Sequence, residues 1–306
     1  ANLESKLQSD KNFRQLWNQF NNFETSEVEL EWSSDEASRV VGGKILNEYG
    51  LSNKFIIGGS ADLAASTKQI ISDNTFGSNN FGGNSIEFGI REHAMGGIVN
   101  GLALHSNLIP YGSTFLVFSD YMRPSMRLAS LMNVNSLFIF THDSIYLGED
   151  GPTHQPIEHL MSLRLIPNLD VIRPSNSMEL IHSYRYALEK RDNPKAIILS
   201  RQNMKFFDND ISYEDFLTGA YEFLPGKDIT LVATGSELEL AVAISKNLKD
   251  LSVQIISAPI LNKINKERIE SLNLNQNIFT IELGRSTGWD SYIENITRSF
   301  SIDSFG

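Results

Sequence analysis

No cysteine occurs in the 306 residues, which excludes disulfides and thiolate metal sites outright. No apolar run reaches 18 residues, so the sequence offers no candidate membrane-spanning helix. No stretch of five or more basic residues is present, and the net charge is −11. Nucleic acid and anionic membranes are therefore not expected partners. The dinucleotide fingerprint GxGxxG, the phosphate loop GxxxxGK[ST], the GxSxG nucleophile elbow and the zinc motif HExxH are all missing. Residues 1–30 are polar without an apolar leader core, so the expected compartment is the cytoplasm. What is there looks globular: 41% hydrophobic and 21% charged residues, in a length that suits about two domains.

The first 33 residues predict a surface helix plus linker, with Leu3, Leu7 and Phe13 as sparse apolar positions and a polar stretch NQFNNFETSE. From residue 34 strands and helices alternate. SDEASRVVGGKILNEYG predicts a helix with Glu36 in its first turn and an end at Gly50. KFIIGGSADL reads as a strand broken into a loop by Gly58-Gly59, and REHAMGGIVNGLALHS as a tightly packed buried helix. SLFIFTHDS, LDVIRPS and KAIILSRQN are further strand cores, separated by the helical period of SMELIHSYRYALEK. Polar residues thin the pattern over 205–226, after which DITLVATGS, ELELAVAISKNLKD, SVQIISAPI and NIFTIEL restart it. The fold class is α/β: two consecutive domains, each a mainly parallel sheet flanked by helices.

The polar residues follow one rule. Asp62 and Ser66 follow the strand at 55–57, His142 and Asp143 that at 137–140, and Arg201 that at 196–199. Ligands of open parallel sheets bind beyond the carboxyl ends of the strands. The loop GEDGPTHQP (148–156) leaves the same edge, with Asp150 and His154 between glycines and prolines. Spacings of eight and four between His142, Asp150 and His154 fix no ligand face, so no metal site is expected there. Hydrogen bonding to a polyhydroxylated or phosphorylated ligand suits these residues better, and Arg39, Arg201 and Ser66 are types that grip phosphate. Glu92 opens an otherwise apolar helix, where it can serve the helix dipole or exchange a proton with a bound heterocycle. Phe115, Phe118 and Tyr121 at i, i+3 and i+6 make either plain core or an aromatic pocket for a flat ring.

GGSADL, FGIREHAMG, YGSTFLVFSDY, THDSIYLGEDGPTHQP, NLDVIRP and LSRQN occur in the order and spacing of the transketolase family, which the chain resembles over roughly 34–306. The resemblance implies a pyrimidine-binding domain of the thiamine diphosphate-binding fold at 34–207. It further implies a linker at 208–219 and a C-terminal domain at 220–306, which looks cut short. It implies transfer of a two-carbon ketol unit between sugar phosphates by thiamine diphosphate. Glu92 then meets the N1′ edge of the aminopyrimidine, within a pocket of Phe115, Phe118 and Tyr121 oriented by Asp62. Arg39, Ser66, His142 and Arg201 match the residues that hold a sugar phosphate, Asp150 the one that reads a donor hydroxyl, and His154 the one near the reacting hydroxyls. Two departures stand out. The cation motif GDG…N, which holds Mg²⁺ or Ca²⁺ on the diphosphate, is not in these residues, so the expected partners are a diphosphate-binding half and a second copy in a homodimer. ADLAAS also lacks the proline that many relatives carry before Ser66. A non-catalytic dimerisation module and a sibling enzyme such as dihydroxyacetone synthase remain open alternatives.

Overall fold

The run Leu-Phe-Ile-Phe-Thr at 137–141 is buried at every position and apolar at all but the last, as suits a strand covered on both faces. Alternate residues divide between two cores. Leu137 and Ile139 join Ile45, Leu46, Leu180 and Tyr184, whereas Phe138 and Phe140 join Met95, Val99, Met122 and Met126. The structure, a computed structural model, describes residues 2–21, 28, 35–71, 74–205, 207 and 210–305.

The chain opens with α1 (Leu3–Ser9), α2 (Lys11–Asn21), β1 (Glu36–Ala37) and α3 (Ser38–Ser52). It continues through β2 (Ile56–Ser60), α4 (Ala64–Thr67), β3 (Ser85–Glu87), α5 (Glu92–His105), β4 (Ile109–Phe115) and α6 (Ser119–Leu131). Next come β5 (Leu137–Thr141), α7 (His159–Arg164), β6 (Asp170–Ile172), α8 (Ser177–Glu189), β7 (Lys195–Leu199) and β8 (Asn203–Met204). The remainder is α9 (Tyr213–Leu217), β9 (Tyr221–Leu224), β10 (Ile229–Ala233), α10 (Glu237–Asn247), β11 (Val253–Ser257), α11 (Lys266–Ser271), β12 (Ile278–Ile281) and β13 (Ile296–Phe300).

Six parallel strands form the first sheet in the order β3-β2-β4-β5-β7-β6. The second sheet runs β13-β12-β10-β11-β9 and is parallel except for β9. This is the α/β architecture of two successive sheet domains. Helices α3 and α8 cover one face of the first sheet, and α5, α6 and α7 the other. Among the described residues no helix is long and apolar enough to cross a membrane. Between the domains Arg164 donates to both oxygens of Glu282, at 2.8 and 2.7 Å, with both side chains buried.

Several expectations need correction. Glu36 is not in a helix: β1 pairs it with Met204, and α3 starts two residues later and runs through Gly50 to Ser52. Gly58 and Gly59 do not break β2 but lie inside it. A Cβ at Gly58 would sit 2.1 Å from the Tyr111 carbonyl oxygen, and one at Gly59 would sit 1.9 Å from that of Ile86. The neighbouring strands come too close for any side chain, so glycine here serves approach and not a turn. Helix α5 is buried on one face only: Met95, Gly96 and Val99 pack inward, while Ile98 and Leu104 are 47% and 59% exposed. Residues 1–21 hold two helices where one was expected, with Phe13, Trp17 and Phe20 stacked along α2 and Phe20 against Phe55. Of the polar stretch NQFNNFETSE, residues 22–27 lie outside the described residues. The expected linker contains α9, whose Phe216 is wholly buried in the first core.

Candidate active site

Because all strands of the first sheet point the same way, the residues that follow them collect on one edge. Asp62 comes after β2, Glu92 after β3, His142 after β5 and Arg201 after β7. Asp62 and His142 both take a left-handed backbone, with φ of 61° and 59°. Apart from Lys68, the other described non-glycine residues with positive φ are asparagines, which tolerate this region. Aspartate and histidine also enter this region more readily than most residues, so the strain is modest, and the two such positions share one edge.

Glu92 is the first residue of α5 and only 8% exposed. Among the described residues nothing hydrogen-bonds to its carboxylate or pairs with its charge. It faces a cavity of about 570 Å³ lined also by Ala61, Asp62, Leu63, Ile90, Phe115, Phe118, Tyr121 and His154. The aromatic trio comes from three different elements: Phe115 ends β4, Phe118 lies in a 3₁₀ turn and Tyr121 in α6. Their rings still form one wall. Phe115 and Phe118 lie parallel with centroids 5.9 Å apart, Tyr121 follows at 6.1 Å, and His154 meets Phe118 edge-on at 5.5 Å. Ile90 and Tyr121 are 79% and 65% exposed, so the cavity is open on one side.

Beside this cavity is a cationic cluster. The His142 ring stacks on Phe115 with centroids 3.7 Å apart, which joins the two regions. Arg39, in the first turn of α3, donates to the Ser66 carbonyl oxygen, while its buried Nε has no partner among the described residues. Burial and the charge of Arg201 both lower the Arg39 pKa, so its charged neighbour is another cation. Arg201 is exposed and lies beside Gly148, with the guanidinium 3.8 Å from where a Cβ on that glycine would be. Among the described residues no carboxylate pairs with Arg39 or Arg201. Burial first, then Arg39, Arg201 and His154, push the His142 imidazole down to about 3. It is therefore neutral at pH 7, a hydrogen-bonding group among cations. Such a cluster attracts an anion.

The 148–156 loop is shaped by Gly148 and Gly151, with φ of 113° and 75°. It carries His154 to the cavity wall, but Asp150 stands exposed and is not among the lining residues. Two other features lie apart. A larger hollow of about 780 Å³ sits beside α11 and β12, lined by a mixture of amides such as Asn273 and Asn275, apolar residues and acids, and its Lys266 is already within 3.9 Å of Glu270. Asp120, Glu158 and His159 bring possible ligand atoms within 4.8 Å of one another, but His159 Nε2 is engaged 3.1 Å from Asp120, joining α7 to α6. Neither shares the convergence of unpartnered groups seen at the sheet edge.

Residues 37–206 match the family described as the transketolase pyrimidine-binding domain, and residues 219–306 match the transketolase-like C-terminal domain. The chain belongs to the transketolase family. It is 40% identical over 284 residues to a transketolase of Halalkalibacterium halodurans, covering 88% of this chain and 42% of that one. A transketolase of Staphylococcus aureus is 39% identical over 299 residues, covering 93% and 45%. The chain thus spans less than half the length of these curated relatives. Among solved structures, a transketolase from Pichia stipitis in complex with sedoheptulose 7-phosphate superposes with a TM-score of 0.90 at 31% identity, over 99% of this chain and 47% of that one. A split-gene transketolase, described as an inactive beta4 tetramer, matches at TM-score 0.73 and 26% identity over 88% of this chain and 89% of its own.

The sequence did not single out several groups that shape the candidate site, nor the partner of Asp143. Leu63 and Ile90 close the cavity, Thr141 Oγ1 lies 2.9 Å from His142 Nδ1, and Asp143 is clasped by Arg173 of the NLDVIRP segment. That segment was a visible marker, yet nothing in its spacing identifies Asp143 as the partner.

Proposed function

We propose that this chain is the part of a transketolase that binds the pyrimidine end of thiamine diphosphate and the sugar phosphates. The donor is a ketose phosphate such as xylulose 5-phosphate. The acceptor is an aldose phosphate such as ribose 5-phosphate or erythrose 4-phosphate, as in the pentose phosphate pathway. The observation that carries this reading is Glu92, a buried carboxylate without a partner, facing an aromatic cavity beside an unpaired cationic cluster. A carboxylate left in that state lacks an internal compensation and suits a ligand that brings a proton or a donor.

The residues fit the cofactor. Apolar rings offer flat walls, Glu92 offers one acceptor, and about 570 Å³ admits a heterocycle. When bound, thiamine diphosphate supplies the electron sink that lets a carbon–carbon bond break. Glu92 holds and exchanges the proton at the pyrimidine ring nitrogen. Phe115, Phe118 and Tyr121 orient that ring and exclude water, and Asp62 lines its edge. Arg39, Ser66, His142 and Arg201 hold the sugar phosphate, the two arginines by charge and His142 as a neutral hydrogen-bonding partner. His154 serves the reacting hydroxyls, and Asp150 reads a donor hydroxyl once the loop closes on substrate.

The open side of the cavity and the uncovered face of α5 support a second surface that completes the site. On this reading a diphosphate-binding half supplies Mg²⁺ or Ca²⁺, the assembly is a cytoplasmic homodimer, and the chain alone is inactive. The split-gene relative, described as an inactive beta4 tetramer, supports that dependence. The test mixes the chain with a transketolase diphosphate-binding half, thiamine diphosphate, magnesium, xylulose 5-phosphate and ribose 5-phosphate. Sedoheptulose 7-phosphate should form, and only in the mixture. Glu92→Gln should abolish turnover while leaving the melting temperature nearly unchanged. An assembled complex that makes no product, or a Glu92→Gln variant that turns over normally, removes this reading.

A further inference from the structure

His142 holds a strained backbone conformation, and the structure shows what keeps it there. The next residue, Asp143, is 2% exposed, and its Oδ2 accepts from Arg173 Nε at 3.0 Å and from Nη2 at 2.7 Å. Arg173 follows β6 of the first sheet, yet its remaining bonds go to the second domain. Its Nη1 donates to the Thr234 carbonyl oxygen at 2.9 Å, to Thr234 Oγ1 at 3.0 Å and to the Glu237 carboxylate. Its backbone N–H donates to Pro259 O at 2.8 Å, and its carbonyl accepts from the Gly235 N–H at 3.1 Å. Gly235 has φ of 53°, and a Cβ there would lie 2.8 Å from Cγ, Nε and Cζ of Arg173. The second domain thus has a slot, open only to glycine, through which one guanidinium passes to hold the residue after His142.

We propose that Arg173 is a positioning residue: through Asp143 it fixes the backbone and ring of His142, so that the second domain sets the geometry of the anion-holding cluster in the first. The mechanism is short-range. The peptide joining His142 to Asp143 is planar, so only ψ of His142 and φ of Asp143 can turn between their α-carbons; pinning Asp143 restricts both and holds the imidazole against Phe115. Simple adhesion between the domains does not account for the arrangement. Arg164 and Glu282 already provide a buried bidentate pair across the same seam without touching the 142–143 segment. Sensitivity of the cluster to the second domain follows only from the bond to Asp143. What His142 touches rests on the proposed function, whereas its placement by Arg173 stands apart from it.

The experiment follows the His142 ring by NMR in the isotopically labelled chain, where stacking on Phe115 imposes a ring-current shift. Asp143→Asn, which keeps shape and removes charge, should displace the His142 ring resonances. Gly235→Ala, a change made wholly in the second domain, should displace them too by pushing on Arg173. Lys263→Met, which cuts the second domain's bonds to Tyr186 OH at 2.9 Å and to Asp170 at another point of the seam, should leave those resonances in place. In the assembled enzyme Asp143→Asn should raise KM for a phosphorylated donor roughly tenfold, with kcat within about twofold. Unmoved His142 resonances in Asp143→Asn, or equal displacement by Lys263→Met, overturn the proposal. Displaced resonances with an unchanged KM would uphold the positioning and instead remove His142 from the phosphate site.

Discussion

Two neighbouring regions treat buried charge in opposite ways. In the seam between domains, Arg164 is matched by Glu282, and Arg173 by Asp143 and Glu237. Glu179 is also satisfied, accepting from the Ser175 N–H at 2.6 Å, Ser257 Oγ at 2.6 Å and Tyr221 OH at 2.9 Å. At the sheet edge, Glu92 is buried with no partner among the described residues, and the half-buried Arg39 and exposed Arg201 meet no carboxylate there. Burying a charge costs free energy in both places. The seam sets counter-charges or donors against its carboxylates, although Arg164 Nε and Asp143 Oδ1 keep no bond and burial still raises the pKa of Glu179 and Glu237. Glu92, in contrast, meets nothing within the described chain. The seam is therefore architecture, and the edge is a surface whose missing half is a ligand. His142 and Asp143, adjacent in sequence, mark the boundary between the two.

The largest expected effect lies in the seam. Glu282 accepts both bonds from Arg164 and one of 2.5 Å from Thr234 Oγ1. Glu282→Ala leaves Arg164 buried without a counter-charge, which should cost about 3–5 kcal/mol in urea denaturation. Replacing both partners with apolar residues of similar size should recover most of that loss, because the stranded charge and not the lost bond dominates. A Glu282→Ala loss no larger than that of Glu92→Gln would erase the distinction between the regions.

The smaller effect of pH reports on the edge. His142 titrates at about 3, below its ordinary value near 6.5. Between those values the unfolded chain binds a proton that the folded chain refuses, so this contribution to stability is full above 6.5 and is lost as pH falls toward 3. In the seam the sign reverses for Glu179 and Glu237. Burial raises their pKa values, so the folded chain takes protons more readily and gains relative stability on acidification. Comparison with His142→Asn, which tolerates the left-handed backbone, isolates the histidine. Between pH 7 and 4.5 the wild-type melting temperature should fall further than that of the variant. Parallel curves would mean that the imidazole is not held neutral by its surroundings.

The edge was far more legible in the sequence than the seam. Strand cores with a polar residue just past their ends, and a loop dense in glycine, proline, histidine and acid, announce a site because strand direction alone gathers them. Glu92 and the Phe115–Tyr121 segment were readable for the same reason, although the rings turned out to come from a strand, a turn and a helix. The seam leaves no periodic trace. Arg164 and Glu282 lie 118 residues apart, and no spacing rule links them. Gly58 and Gly59 misled for a related reason: glycine signals a turn locally, but here its use is the approach of the strands carrying Tyr111 and Ile86, which only the assembled sheet reveals. β4 was hidden by Pro110 and Gly112, residues that lower strand propensity yet are accommodated between two paired neighbours.

The smallest stability effect and the sharpest functional one should coincide at Arg201. Its side chain is exposed, pairs with no carboxylate among the described residues and adds to the positive field on Arg39 and His142. Removing it takes away a like-charge repulsion and no packing, so Arg201→Ala should leave stability within about 0.5 kcal/mol of wild type. In the assembled enzyme the same change should raise KM for phosphorylated sugars far more than for their unphosphorylated counterparts, since only the former present a dianion to the cluster. Steady-state kinetics on a matched pair of donors gives the ratio directly. Equal effects on both donors would place Arg201 outside the phosphate contact, and the cationic cluster would then need another reason to remain unpaired.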